Sequence, residues 1–269
     1  MAIPGEKSGT AEPTESPPSM SALEWQIARV SALRAETPTV KTLTLKVPRW
    51  TRHRAGQHYD VRLVAPDGYE AQRSYSIASA PEQSGEIELT VERLNDGEVS
   101  TYLTEVLVVG DEVEVRGPIG GYFVWEVPMG GPLLLVAGGS GIVPLMAILR
   151  HRAAVRAMTP VQLLYSVSGP ASVIYRDELA ALQAAQDGMA VAYTFTRIRP
   201  PAWTGYARRI DRAMLAAVSA PLGSTFLAYV CGPTLMVEGT ANALVELGMA
   251  PERIRTERFG PTGKDTPYE

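Results

Sequence analysis

Apolar and polar positions alternate singly along most of the first half of the chain. LEWQIARVSALRAE, VKTLTLKVP, HYDVRLVA, RSYSIAS, EIELTVERL and DEVEVRGPIG each alternate or are rich in β-branched residues. That period of two is the mark of half-buried strands. Turn signals divide them: Thr37-Pro38, Pro66-Asp67-Gly68 and Asn95-Asp96-Gly97. Only VSTYLTEV, residues 99–106, has helical spacing. Six strands at this spacing predict a six-stranded antiparallel β-barrel.

The period changes in the second half. Apolar runs (PLLLVAGG, VQLLYSVS, MAVAYTFTR, STFLAYVCG, RIRTERFG) alternate with amphipathic stretches (GIVPLMAILRHRAAV, YRDELAALQAAQ, IDRAMLAAV, TLMVEGTANALVEL). Strand and helix in strict alternation predict a doubly wound α/β unit with a five-stranded parallel sheet covered on both faces. The Pro/Gly segment VPMGGP, residues 127–132, divides the two patterns. The expected organisation is a tail over 1–20, a barrel domain over 21–127 and an α/β domain over 128–269. Residues 1–20 are rich in Pro, Ser, Glu and Thr and lack an apolar block, so a disordered tail is expected there.

Composition narrows the function. A net charge of −4 argues against a nucleic-acid binder. Residues 127–149 run 23 positions without a charge, long enough to span a bilayer. Pro128, Pro132, Pro144 and five glycines interrupt that run, so a strand, a turn and a buried helix are expected instead of a membrane span. The single cysteine, Cys231, leaves no disulfide and no site with several Cys ligands. His53, His58 and His151 are scattered, so no metal is expected. A cytoplasmic location and a monomer are the working expectations. The 25 basic residues comprise 21 Arg and 4 Lys, and Arg suits bidentate phosphate contacts.

Two strand-to-helix turns carry candidate chemistry. In AGGSGIVPLMAIL the strand ends near Ala137; Gly138, Gly139, Ser140 and Gly141 follow, and a helix begins. Small residues let a backbone approach a phosphate at a helix N-terminus, although the same loop suits a plain tight turn. Its place in the first βα unit of a doubly wound sheet favours the phosphate reading. In YVCGPTLMV, Cys231, Gly232 and Pro233 end another buried strand on the same rim; a small buried Cys is equally at home there.

RSYSIAS (73–79), GEVSTYL (97–103), GPIGGYF (117–123), GGSGIVP (138–144), IYRDEL (174–179), VCGPTLMV (230–237) and ERFG (257–260) occur in the order found in the ferredoxin–NADP reductase superfamily. The chain resembles its bacterial FAD/NAD(P)H oxidoreductases that serve oxygenases, over about residues 22–260. The resemblance implies that Arg73 and Ser74 hold the flavin pyrophosphate, Tyr75 stacks on the flavin ring and Ser76 sits near its N5. Gly97, Val99, Ser100 and Thr101 match the helix start that cradles the same pyrophosphate. Gly138, Gly139, Ser140 and Gly141 match the nicotinamide dinucleotide's phosphate loop, and Cys231, Gly232 and Pro233 the segment beside the nicotinamide. Met236 and Phe259 pack near the ligands. Glu257 is either a carboxylate close to the flavin or half of a surface ion pair. By this resemblance Tyr75, Ser76 and Cys231 are the catalytic candidates.

On a flat strand Arg73 and Tyr75 share one face and Ser76 the other. For all three to meet one flavin, the ring must cross the strand's edge or the strand must bend.

The resemblance implies FAD as cofactor, with RSYS and GEVST both available to its pyrophosphate, and NADPH or NADH as co-substrate. After the second parallel strand, Ser166 and Ser168 stand where an NAD site often has an acid. Arg197 and Arg199 follow the third strand and suit a 2′-phosphate, which favours NADPH. Many relatives carry a [2Fe–2S] domain, which one cysteine cannot supply. Electrons then pass from FAD directly to a separate redox-partner protein such as a ferredoxin or an oxygenase component. Two other readings remain at this point: a flavin or ferric reductase with a small-molecule acceptor, and a non-catalytic nucleotide-binding subunit.

Overall fold

The computed structural model describes residues 23–260; the expected tail over 1–20 lies outside them. Six strands form the first half: β1 (Gln26–Thr37), β2 (Val40–Lys46), β3 (His58–Val64), β4 (Glu70–Ser76), β5 (Glu86–Glu92) and β6 (Glu112–Ile119). They form one antiparallel sheet in the order β4-β3-β6-β1-β2-β5. The alternation sends Ile87, Leu89 and Val91 of β5 fully inward, where they meet Leu43, Leu45, Val61 and Val115. Burying each such side chain contributes about 1.5–3 kcal/mol.

The sheet curls until its edges approach. Beyond Ser76 the chain leaves β3, and Ile77 bridges to Leu89 of β5. The Ala78 N–H then donates to the Glu88 carbonyl. The helical stretch expected over 99–106 is a short helix, α1 (Glu98–Thr101), continuing into a wider π turn over Tyr102–Val106. Its buried Val99 and Leu103 join the barrel core.

The second half contains β7 (Leu133–Gly138), α2 (Ile142–Ala154), β8 (Val161–Val167), α3 (Arg176–Ala184), β9 (Met189–Phe195), α4 (Arg212–Ser219), β10 (Leu227–Pro233), α5 (Thr234–Glu246) and β11 (Ile254–Phe259). The five strands are parallel, in the order β11-β10-β7-β8-β9. LLLVA of β7 is wholly buried because the sheet has a core on each face. Leu133, Leu135 and Ala137 face one core; Leu134 and Val136 face the other.

Helix α2 accounts for the long uncharged run, since it is packed among the sheet, Trp125 and Ala78 of the barrel. Among the described residues no helix is long and apolar enough to cross a membrane. Between the two halves lie a 3-10 turn, Val127–Met129, and Gly130 at φ 77°.

The two halves are stapled by charge. Arg150 of α2 donates to the Ala78 carbonyl at 2.9 Å and to Glu88 at 2.7 Å, both in the barrel half. It also pairs with Glu178 of α3 at 2.6 Å. Its guanidinium lies over the Tyr175 ring, whose hydroxyl reaches Thr90 of β5. His151 adds a 3.0 Å contact with Glu82.

Candidate functional site

A cleft of about 1160 Å³ runs between the barrel and the carboxyl ends of the parallel strands. Its size exceeds the few hundred to a thousand Å³ of a pocket for one drug-sized ligand. The barrel wall begins with β4, the edge strand of its sheet. Arg73, Ser74, Tyr75 and Ser76 all line the cleft, although alternate residues face opposite sides of a strand. The reason is twofold: the cleft wraps the free edge of β4, and the pairing with β3 stops at Ser76.

Arg73 is exposed, and among the described residues its guanidinium hydrogen-bonds to the neighbouring Gln72 carbonyl alone. Ser74 is held by Asp60, donating to its Oδ1 at 2.7 Å. Tyr75 is half-buried, and burial pushes its hydroxyl pKa up to about 12, so it stays neutral. Gly97, Val99 and Ser100 also line the cleft. Gly97 is required there, because a Cβ on it would lie 2.2 Å from Ser100 Oγ. That hydroxyl ties the loop down, accepting from the Leu94 N–H at 3.1 Å and donating to the Gly97 carbonyl.

Five expected residues stand apart from the cleft surface: Gly141 and Gly232 of the two strand-to-helix turns, and Thr101, Arg199 and Cys231. Thr101 lies one position too far along α1 and does not line it. Arg199 does not line it either; Arg197 does, joined by Arg209 from the loop before α4. Cys231 is fully buried in the core shared with α2 and Tyr229. The thiol expected to be catalytic is thus not part of the cleft surface in this structure, although its backbone packs against the glycine loop that is.

The glycine loop divides its labour. A Cβ on Gly141 would sit 2.1 Å from the Cys231 carbonyl oxygen, and one on Gly138 2.4 Å from Met236 Sδ. Gly232, at φ 154°, would bring a Cβ within 3.1 Å of Gly138. These three glycines let the first βα turn pack directly on the end of β10, and neither Gly141 nor Gly232 lines the cleft. Gly139, at φ 54°, and Ser140 are the loop residues that open onto the cleft together with Gly138.

Glu257 closes the far wall. It pairs in register with Cys231 across the β10–β11 ladder. Its Oε1 accepts from Ser76 Oγ at 3.2 Å, so the surface ion-pair reading is corrected. Burial pushes its carboxyl up to about 7, only partly offset by the Ser76 hydrogen bond. The same burial, with Glu257 nearby, raises the Cys231 thiol well above its usual range. Pro233, Met236 and Phe259 line the wall beside it.

Sequence reasoning missed several lining groups. His58, paired opposite Ser76, is kept neutral by burial. Thr240 on α5 is buried with an unpartnered hydroxyl. Glu92 ends β5 and faces Gly139. Each is a single polar residue in an otherwise ordinary strand or helix, with no motif to flag it. Among the described residues no cluster of three or more His, Cys, Asp or Glu is placed to hold a metal.

A barrel and a doubly wound sheet sharing a rim lined by Arg, Tyr and Ser define a flavin- and nicotinamide-binding oxidoreductase. The oxidoreductase FAD-binding domain family matches residues 28–124, and the oxidoreductase NAD-binding domain family matches 135–242. The chain belongs to these two-domain oxidoreductases of ferredoxin–NADP reductase-like fold. It is 32% identical over 210 residues to the reductase subunit of an aromatic O-demethylase from Amycolatopsis, covering 77% of this chain and 61% of that one. It is 30% identical to the phenol 2-monooxygenase reductase component DmpP of Pseudomonas, covering 86% and 64%. The chain thus spans about six-tenths of the length of these curated relatives.

Among solved structures, the Amycolatopsis cytochrome P450 reductase GcoB superposes with a TM-score of 0.76 at 26% identity, over 90% of this chain and 72% of that one. A ferredoxin NADP+ reductase from Neisseria gonorrhoeae with bound FAD and NADP gives 0.74 at 24% identity, over 87% and 98%, a likeness of fold.

The donor set fits FAD and a nicotinamide nucleotide. A guanidinium without an acidic partner, a half-buried neutral tyrosine and a buried hydroxyl backed by a carboxyl lie along one wall. Cationic Arg197 and Arg209 lie on the cleft surface contributed by the α/β half.

Proposed function

We propose that the chain is an NAD(P)H-dependent flavoprotein reductase that passes electrons from FAD to a separate redox-partner protein. The flavin domain spans 21–127 and the nicotinamide domain 128–269. The observation that carries the reading is the single cleft in which Arg73, Tyr75, Ser76 and Glu257 from the two halves converge. Bound FAD supplies a site that takes two electrons with a hydride and releases them singly or together.

The chain's own residues bind, orient and handle protons. Arg73 offers forked donors to a pyrophosphate, and Ser74 and Gly97 shape the wall around it. Tyr75 offers an aromatic face. Ser76 keeps its hydroxyl proton and donates it in a hydrogen bond to Glu257, whose carboxyl, pushed up to about 7, is the group here able to hold or release a proton near neutral pH. Arg197 and Arg209 suit the 2′-phosphate of NADPH, with Ser166 and Ser168 beside them instead of an acid.

The relatives named as the reductase subunit of an aromatic O-demethylase and the reductase component of a phenol 2-monooxygenase support an oxygenase component or a ferredoxin as the acceptor. A cytoplasmic monomer is the form in which we expect the protein to act. Anaerobic titration of the FAD-loaded protein with NADPH tests the reading. Stoichiometric bleaching of the flavin band, reversed by an added ferredoxin or oxygenase component, supports it; an unbleached flavin rejects it.

A further inference from the structure

On the reductase reading the cleft holds a ligand with two phosphates, yet Glu92 places a carboxylate on its lining. Glu92 stands at the end of β5, on the barrel side. Its Oε2 lies 3.9 Å from the position a Cβ on Gly139 would take, so it faces the one loop glycine with positive φ that is open to the cleft. The charged and hydroxyl groups next to it in the sheet are engaged elsewhere: Arg93 pairs with Glu105, and Thr90 bonds Thr42 and Tyr175. Among the described residues no side chain forms a hydrogen bond or ion pair with the Glu92 carboxylate. The cleft's cations, Arg73, Arg197, Arg209 and Arg258, do not pair with it either.

An unpaired carboxylate at such a place repels phosphate and accepts hydrogen bonds. The nicotinamide dinucleotide of the reductase reading, on which this inference rests, would reach from the Ser76–Glu257 wall to Arg197 and Arg209 through the cleft that Gly139 also lines. Its phosphates carry no donors at neutral pH. Its donors along that path are ribose hydroxyls, and a vicinal diol presents two O–H groups to the two oxygens of one carboxylate, as acids do for ribose in NAD sites. The ribose on the adenine side is drawn to the arginines by its 2′-phosphate, which leaves the nicotinamide-side ribose for Glu92.

We infer that Glu92, contributed by the flavin half, binds the nicotinamide-side ribose diol of the incoming dinucleotide. Binding of the hydride donor then requires both halves of the molecule, and the β5 wall discriminates a ribose from a phosphate at that point.

The test is calorimetric titration of FAD-loaded wild type, Glu92→Gln and Glu92→Ala with NADP+ and with adenosine 2′,5′-bisphosphate, which lacks the nicotinamide-side ribose. NAD+ and AMP replace them if the wild type takes NAD+ in preference. The flavin spectrum verifies that each variant is folded. NADP+ affinity is expected to fall about 10- to 100-fold in Glu92→Ala, the loss of charge-assisted hydrogen bonds. Glu92→Gln, which keeps one acceptor, falls between, and the bisphosphate binds all three proteins alike. Unchanged or tighter NADP+ binding in the variants overturns the inference, because a carboxylate that only repels phosphate gives a gain on removal. Equal weakening of both ligands overturns it by moving the contact to the adenine half. A wild type that binds neither ligand overturns the reductase reading together with it.

Discussion

Ser76 and Glu257, 181 positions apart in sequence, meet through a 3.2 Å hydrogen bond that joins the end of β4 to β11. The bond places a carboxyl titrating at about 7 against the hydroxyl nearest the proposed reaction centre. Folded Glu257 holds its proton more tightly than the unfolded chain, where such a group titrates at 4.5. Its contribution to stability is therefore fully present below about pH 4.5 and is lost as pH rises through 7, roughly 3 kcal/mol at most. Glu257→Gln mimics the protonated form. Denaturation of wild type and variant across pH 4–8 is expected to show the variant gaining on the wild type as pH rises. A gap that does not vary with pH contradicts the raised pKa.

Arg73 is expected to dominate flavin affinity. Among the described residues its guanidinium has no carboxylate partner, so Arg73→Ala removes ligand contacts without stranding a buried charge. FAD affinity should fall about 10- to 100-fold by fluorescence titration. Lysine restores only part of it, because a point charge cannot fork. Tyr75→Ala should also weaken binding and alter the visible circular dichroism of the bound flavin. Wild-type affinity in both variants would remove β4 from the flavin site.

The layout of strands and helices was legible because period two and the strand–helix alternation are local properties of the chain. RSYS was legible because four consecutive polar or aromatic residues in a strand are unusual for core. Depth was not legible. The motif put Cys231 on the correct strand end, but its burial follows from how β10 is packed between β7 and β11 and against α2. Pairings across long sequence gaps were hidden too: Ser76 with Glu257, and Arg150 with Glu88. Such contacts depend on how the halves dock and leave no periodic trace. Arg199 and Arg209 illustrate the same limit, since which arginine reaches the cleft is decided by the loop between β9 and α4.

Cys231 should resist chemistry in the native state. Its thiol is fully buried, and burial together with Glu257 raises its pKa, whereas the thiolate is the reactive form. A bulky thiol reagent at pH 8 is expected to label the protein only in denaturant. Rapid native labelling would show that the loop over β10 opens. Cys231→Ala should cost about 1–2 kcal/mol as a small core cavity.

Nucleotide preference should follow Arg197 and Arg209. Both line the cleft and Arg199 does not. Arg197→Ala and Arg209→Ala are each expected to lower kcat/KM for NADPH about 10- to 100-fold and to leave NADH nearly unchanged, the cost of a lost charged contact. Arg199→Ala should change neither. A wild type that prefers NADH, or an Arg199→Ala that alone loses NADPH, reverses this assignment.

Arg150 is the residue on which the docking of the two halves depends most. It is 14% exposed in its side chain and serves Glu88, Glu178 and the Ala78 carbonyl at once. Arg150→Ala removes all three contacts, taking the arginine from Glu178 and leaving Glu88 with Arg34 at 3.7 Å. Breaking a largely buried pair in this way costs about 3–5 kcal/mol, and the partial exposure of Glu178, at 38%, argues for the lower end. The variant should lose several degrees in Tm. It should also reduce its flavin more slowly with NADPH, because hydride transfer needs near-contact geometry between groups held by different halves. FAD affinity should change little, since Arg73 and Tyr75 lie within the barrel. Glu178→Gln, which keeps the Glu88 and Ala78 contacts, should lie between the two in both Tm and reduction rate. Equal reduction rates in all three proteins would mean that the orientation of the halves is set by the apolar packing around α2 and not by this arginine.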